Sequence, residues 1–458
     1  MRPGLRQFRS LWLVAAFLGV SGPVIAQEAR RLSLDEAIRL GLRNNPALAA
    51  ATADRDAADA GRREAQAQRW PRLSADAGWR RTDNQVLAFS DKLTSAEFTV
   101  ADFAIDTLNH PDPHGHAVAA VGVDIPLYTS GRIASGIDAA QSGEAAAAAR
   151  LRAAGADLVT QITEAYFGVA VARAAVEVAE SALEDARHHE QVADSRVTAG
   201  AALASELMRA RVDRLMRERD LERGRADREI ASARLRQALA LPPGDTIEPT
   251  TPLADPGEPL ESLERYAGAA VDARPEVDAA RRQAEAATMT TRVARAGLGP
   301  EVAGTARYEC NADAWDACEG SYVVGVALRW SAFDRGRAAR IDGAEARGAG
   351  AAARRRVVEN GVRLEVESAY RDAEVADRSL VLAREAVKAA EEARRINAER
   401  YAAGMLRLID LLDAETALVA ARLDAIHALD DAVVGRTRLQ RAAGLLEVPA
   451  ASSEEVPR

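Results

Sequence analysis

The sequence predicts a mainly α-helical chain with a small β part, in which long coiled helices carry four short strands. Three observations predict it. Proline is absent from residues 127–241 and again from 301–448. Alanine supplies 103 of the 458 residues and aromatics only 4%, which suits slender, closely packed helices better than one wide core. Four segments alternate polar and apolar side chains with period two, the mark of a half-buried strand.

The elements follow in order. Arg2, Arg6 and Arg9 precede an apolar run at 11–20, too short to span a bilayer as a helix, and small residues end at Ala26. This pattern reads as a signal peptide over 1–26. The whole chain has a formal charge of -9, and losing the three leader arginines leaves about -12. An acidic balance argues against a nucleic-acid partner. Ser33-Leu-Asp-Glu36 is a capping box that starts a first helix, and Asn45-Pro46 starts a second with a good N-cap and proline at the first position.

The strand segments are 72–80, 121–127, 301–309 and 322–330. In the first, Leu73, Ala75, Ala77 and Trp79 oppose Arg72, Ser74, Asp76 and Arg80. In the last, Tyr322, Val324, Val326, Leu328 and Trp330 share one face. These lengths match a tilted strand crossing a membrane. Trp70, Trp79, Trp315 and Trp330 all lie in or beside the strands, as do Tyr128, Tyr308, Tyr322 and Phe333. Membrane barrels place aromatic girdles at strand ends. A soluble sandwich explains neither this bias nor the charges on the other face. Four strands cannot close a barrel, because an open edge in lipid leaves backbone groups unpaired. Closure demands several copies, and three would give twelve strands. Between the first two strands, residues 84–116 carry Phe89, Phe98 and Phe103 and read as an external cap on the barrel rim.

Residues 133–198 read as near-continuous helix, on the order of 100 Å long. Ala199-Gly200 supplies the turn and a second helix returns. The same pattern recurs after residue 260 with the turn Ala403-Gly404. The two halves are copies of one unit. Ala165-Tyr166 matches Ala369-Tyr370, the Arg196–Gly200 stretch matches 400–404, and Leu235-Arg-Gln-Ala238 matches Leu439-Gln-Arg-Ala442. Such ordered matches at near-constant offset mark an internal duplication. The organisation is a leader at 1–26, a first helix–strand–strand–helix repeat at 27–240, a linker at 241–260, a second repeat at 261–446 and a polar tail at 447–458. Cys310 and Cys318 are the two cysteines. An exported chain meets an oxidising compartment, so they are expected to pair.

Here the residues meet a known family. Leu32-Ser-Leu-Asp-Glu-Ala-Ile38 with Asn44-Asn-Pro-Ala-Leu48, Ile125-Pro-Leu-Tyr128 with Gly131-Arg132, and the two hairpin motifs resemble TolC-type outer membrane efflux proteins over about 32–446. The resemblance implies a homotrimer, with a trimeric 12-stranded outer-membrane β-barrel of four strands per protomer. A long α-helical coiled-coil tunnel would continue it through the periplasm. It implies a periplasmic adaptor (membrane fusion) protein and an inner-membrane transporter as partners, outer membrane lipid around the barrel, and no cofactor. It also implies a periplasmic gate at the hairpin ends. The acidic positions matching the family's constriction are Asp410 and Asp413, with Glu206 on the first hairpin and Arg407 as its candidate basic partner. Asp410 and Asp413, at i and i+3, share a helix face.

The resemblance implies an exit duct that passes small molecules from a tripartite pump. A duct for type I protein secretion and a soluble periplasmic coiled-coil scaffold are the competing readings. Other residues weigh less. His110, His114 and His116 read as a solvated loop rather than metal ligands. His188 and His189 read as solvated beside charges. No Ser-His-Asp arrangement, Walker loop or GxGxxG unit is present, so the chain is not expected to be an enzyme.

Overall fold

A computed structural model describes residues 30–313 and 318–449. The leader, Trp315 and the end of the polar tail lie outside the described residues.

Each repeat begins with a pair of helices, and in the first repeat side-chain caps start both. Strand β1 (Arg30–Leu32) leads into α1 (Leu34–Asn44). Ser33 accepts from the Glu36 N–H, and Glu36 accepts from the Ser33 N–H at 2.8 Å, closing the capping box. Helix α2 (Pro46–Ala67) follows Asn45, whose side chain accepts from the Ala47 N–H at 2.9 Å. Asn45 has a second task. Its Nδ2 donates to the Ala238 carbonyl at 3.0 Å, where the long return helix ends. The second repeat makes the same connection with a different residue. Arg274, also placed before a proline, donates from Nη1 to the Ala442 carbonyl at 3.0 Å. Corresponding helix ends are thus tied by different side chains, Asn45 and Arg274.

After α2 comes β2 (Arg72–Thr82), then an excursion with α3 (Gln85–Thr94), a 3-10 turn at Val100–Phe103 and α4 (Ile105–Asn109). Strand β3 (His114–Tyr128) leads into α5 (Arg132–Thr198), a helix of 67 residues, and α6 (Ala204–Ala238) returns over 35. The linker contributes β4 (Ile247–Pro249), parallel to β1. The second repeat holds α7 (Leu263–Ala273), α8 (Pro275–Ala296), β5 (Glu301–Ala312), β6 (Glu319–Arg329), α9 (Arg335–Ala402) of 68 residues and α10 (Leu408–Ala443) of 36.

The four-stranded sheet is antiparallel in the order β2-β3-β5-β6. Its strands run beyond the alternating segments of the sequence. Strand β3 starts at His114 rather than near 121, because every residue of β2 finds a partner, out to Thr82 opposite His114. The helices form a curtain. Towards the hairpin tips α6 packs on α5, α5 on α10 and α10 on α9; nearer the sheet the order is α2, α5, α8, α9. The largest core gathers where α1, α5 and α6 meet the linker, around Ile162, Tyr166, Leu235 and Leu239. Tyr166 is fully buried. Its hydroxyl donates to the Leu32 carbonyl and accepts from the Thr251 N–H, both at 2.8 Å, so it pins both parallel strands to the bundle.

Candidate functional site

The sheet has two unlike faces. On one lie Leu73, Trp79, Val121, Tyr308, Tyr322, Val324, Val326 and Leu328, all exposed in the single chain. Burying so many apolar side chains requires a nonaqueous neighbour. The aromatics fall into two groups. Trp70, Tyr128, Trp330 and Phe333 lie at the helix end, where the Trp330 indole donates to the Leu298 carbonyl at 3.0 Å. Trp79 lies towards the far end, level with Ala312, and Tyr308 stands directly opposite Tyr322 nearer the middle of the strands. Trp330 and Tyr322 are separated along one strand by ~27 Å, close to an apolar band when the strand tilts.

The other face is polar. Arg307 reaches across β3 to Asp76 at 3.4 Å and also pairs with Glu309. At its far end Arg80 holds Asp91 of α3, through Nε to Oδ2 at 3.1 Å and through a second, Nη2 contact. His116 lies beside the same carboxylate, Nε2 3.9 Å from Oδ1. His116 is therefore not part of a solvated loop: it is 4% exposed and covered by α3. Sequence reasoning missed this because the covering helix lies outside the strand pattern. His114 is likewise in β3. Near this end, Cys310 of β5 and Cys318 just before β6 are joined by a disulfide, with Cα atoms 5.2 Å apart.

At the opposite end of the chain's long axis are the hairpin tips. Gly200 has φ +72° and Gly404 φ +73°, the left-handed region that glycine enters without a Cβ penalty. The turns close identically: Ala201 N–H donates to Arg196 O at 2.8 Å and Met405 N–H to Arg400 O at 2.9 Å. Across the tips the Arg196 guanidinium stacks on the buried Tyr401 ring, 4.7 Å from its centre. Leu408 and Leu411 bury their side chains beneath, with Ala193 and Ala210 of the first hairpin.

The four gate candidates are only partly brought together. Arg407 makes two hydrogen bonds of 3.2 Å to Asp410 on its own helix. It does not reach Glu206, which lies on the neighbouring hairpin. Asp413 is exposed. Asn397 fixes the turn of helix between them by donating to the Asp410 carbonyl at 3.1 Å.

One turn deeper is a charged cluster that sequence reasoning missed. Glu415, 7% exposed, accepts from Arg394 Nε at 2.8 Å and lies 3.4 Å from His189. His189 is therefore buried between the hairpins rather than solvated. Arg394 also reaches Asp185 at 3.4 Å. Burial pushes the Glu415 carboxyl up, but the hydrogen bonds from His189 and Arg394 outweigh it and leave it below the ordinary glutamate value. Nearby, burial raises Asp213 despite Arg217 at 3.5 Å. No local motif could reveal this cluster, since His189 and Glu415 are 226 residues apart.

Among the described residues no group of three or more His, Cys, Asp and Glu side chains is placed to hold a metal ion. No described helix is long and apolar enough to cross a membrane. What the arrangement offers is a two-faced sheet on the end of a helical curtain.

The model of the outer membrane efflux protein family matches residues 37–241 and 267–445. The chain belongs to that family. This efflux protein also shares its fold with solved structures. CmeC, an outer membrane channel of Campylobacter jejuni, superposes with a TM-score of 0.78 at 16% identity, covering 99% of this chain and 96% of CmeC. A membrane protein from Pseudomonas aeruginosa gives 0.77 at 22% identity, over 90% of this chain and 93% of its own. The outer membrane protein VceC of Vibrio cholerae gives 0.75 at 23%, over 90% and 96%. No curated protein matches the chain. The family places this protein in the outer membrane.

Proposed function

We propose that this efflux protein is the exit duct of a tripartite pump: a ring of three chains that passes small molecules received from an inner-membrane transporter through a periplasmic adaptor protein. The observation that carries this is the coincidence of open edges. The sheet is unpaired at β2 and β6. The curtain is open at α6 and α9, and nearer the sheet at α2 and α9. The same two sides of the chain are thus unfinished at every level. The α6 and α9 edges carry apolar side chains: Met208, Val212 and Leu215 on α6, and Val357, Leu364 and Leu382 on α9, all at least 48% exposed.

An open sheet edge is not tolerated in lipid, so β6 of one copy pairs β2 of the next until the ring closes. Three copies give twelve strands, an even count within the range of membrane barrels. The tube holds no energy source of its own, so cargo is driven by the transporter. The ends of the hairpins form the periplasmic entrance, and Asp410 and Asp413 line its constriction. With Arg407 on Asp410, three copies bring six carboxylates and three guanidinium groups to the axis. The net charge there remains negative and favours cations. Native mass spectrometry in detergent, followed by planar-bilayer recording, tests the proposal. A trimer that conducts is expected; a freely soluble monomer without conductance overturns it.

A further inference from the structure

The excursion between β2 and β3 is a small folded unit. Phe98 packs edge-on against Phe89 and Phe103, with ring centroids 4.6 and 5.1 Å away. Lys92 pairs with Asp102 at 2.8 Å. The unit does not stand clear of the sheet. Asp91, 1% exposed, is held by Arg80, and α3 covers His116. Arg80 and His116 are opposite each other in register. By strand alternation both lie on the face of Asp76 and Arg307, the polar face. The excursion therefore sits inside the outer mouth and not on the outside of the rim.

Its free surface carries large apolar side chains among polar ones. Val86 is 76% exposed, Val100 90% and Ile105 78%. Such a surface left in a water-filled mouth is unfavourable. The size of the mouth says what covers it. Twelve strands spaced ~4.8 Å apart and tilted ~40° enclose a cylinder about 24 Å across. A helix with its side chains is about 10–12 Å thick, so three side by side need about 22–26 Å. In a ring of three, the excursions have no room to avoid each other.

We infer that residues 85–109 form one third of a plug at the outer mouth, with the apolar surface of each copy covered by the other two. The inference rests on the ring of three proposed above. The Arg80–Asp91 pair is the hinge point that holds each third against its own strand. The plug would exclude bulky solutes outside the cell until outward-moving cargo displaces it.

The test uses the full-length protein in whole cells, with Thr305→Cys as a reporter on the polar face, deeper in the barrel than Arg80. A polyethylene-glycol maleimide is added from outside. The Asp91→Asn exchange releases the anchor, and Val100→Asp places charge on the covered surface without touching the fold of a single chain. Labelling is expected to accelerate about tenfold or more in both, because Asp91→Asn removes the buried charge partner of Arg80 and Val100→Asp puts an unpaired charge into the covered surface, and either shifts a two-state equilibrium by at least that amount. Labelling equally fast in the reporter alone and in both variants, with native mass spectrometry still showing trimers, overturns the plug and leaves the ring standing. A reporter protein that purifies as a monomer overturns the ring itself.

Discussion

The Arg196 guanidinium on the first hairpin lies 4.7 Å from the centre of the Tyr401 ring on the second, and donates to the Tyr401 carbonyl at 3.4 Å. One side chain thus grips both the face and the backbone of its neighbour. Arg196→Ala is expected to weaken the contact between the tips by about 1 kcal/mol. Hydrogen exchange should then speed up in the two turns, at 199–203 and 403–407, and not in α1. Arg196→Lys keeps the charge but not the planar stack, and should recover only part of the protection. Unchanged exchange in both variants would show that the tips are held by Leu408 and Leu411 alone.

Glu415 predicts a pH dependence. Its carboxyl lies below the ordinary value of 4.5 because His189 and Arg394 hold the ionised form against burial. A depressed carboxylate stabilises the fold above its unfolded value and loses that contribution as pH falls through its folded value. Glu415→Gln should lower the Tm at pH 7, with a cost of about 1–3 kcal/mol, since Arg394 stays partly solvated. The difference from the parent should vanish on acidification below the ordinary glutamate range. A difference that persists there would point to packing instead of charge.

Asp430 runs the other way. Burial, with Asp431 beside it, pushes its carboxyl up to about 6, and its Oδ1 is buried without a hydrogen-bond partner. A raised carboxyl favours the protonated fold: that contribution is complete below the unfolded value of 3.8 and is lost as pH rises through about 6. Asp430→Asn should therefore raise the Tm at pH 8 and leave it nearly unchanged at pH 4. The gain is about 1–2 kcal/mol after allowing for partial solvation. Thermal melts at the two pH values decide it.

Asp410 and Asp413 differ in their surroundings, so their replacement should not be equivalent. Arg407 already offsets Asp410. Asp413→Asn is expected to relieve channel block by multivalent cations more than Asp410→Asn, and the double variant most. Equal block in all three bilayer recordings would remove both residues from the constriction.

Much of this architecture is legible in the sequence because it rests on local rules. Proline-free stretches give α5 and α9; the glycines at 200 and 404 give the turns; period-two alternation gives four strands. The limits of the strands are less legible. Ala117, Ala119 and Ala120 hide the alternation at the start of β3, where only pairing with β2 defines the strand. The hairpin contacts are least legible of all. Arg196 and Tyr401 are each ordinary members of a repeated motif, and nothing local says that one copy's arginine meets the other copy's tyrosine. The same holds for Arg274 and Arg441, which share Glu276 although they come from opposite ends of the second repeat.

The seam at the middle of the sheet has a consequence for biogenesis. Strand β3 pairs with β5, and Ala117 faces Ala312, about 195 residues further along the chain. Long-range pairing must await closure of the intervening loop and is intrinsically slow. The first repeat alone can offer the membrane only an isolated two-stranded ribbon, which is marginal at best. In the ring proposed above, insertion would therefore be late: the strands of the first repeat would have to be kept from aggregating through their exposed edges until β5 and β6 had followed.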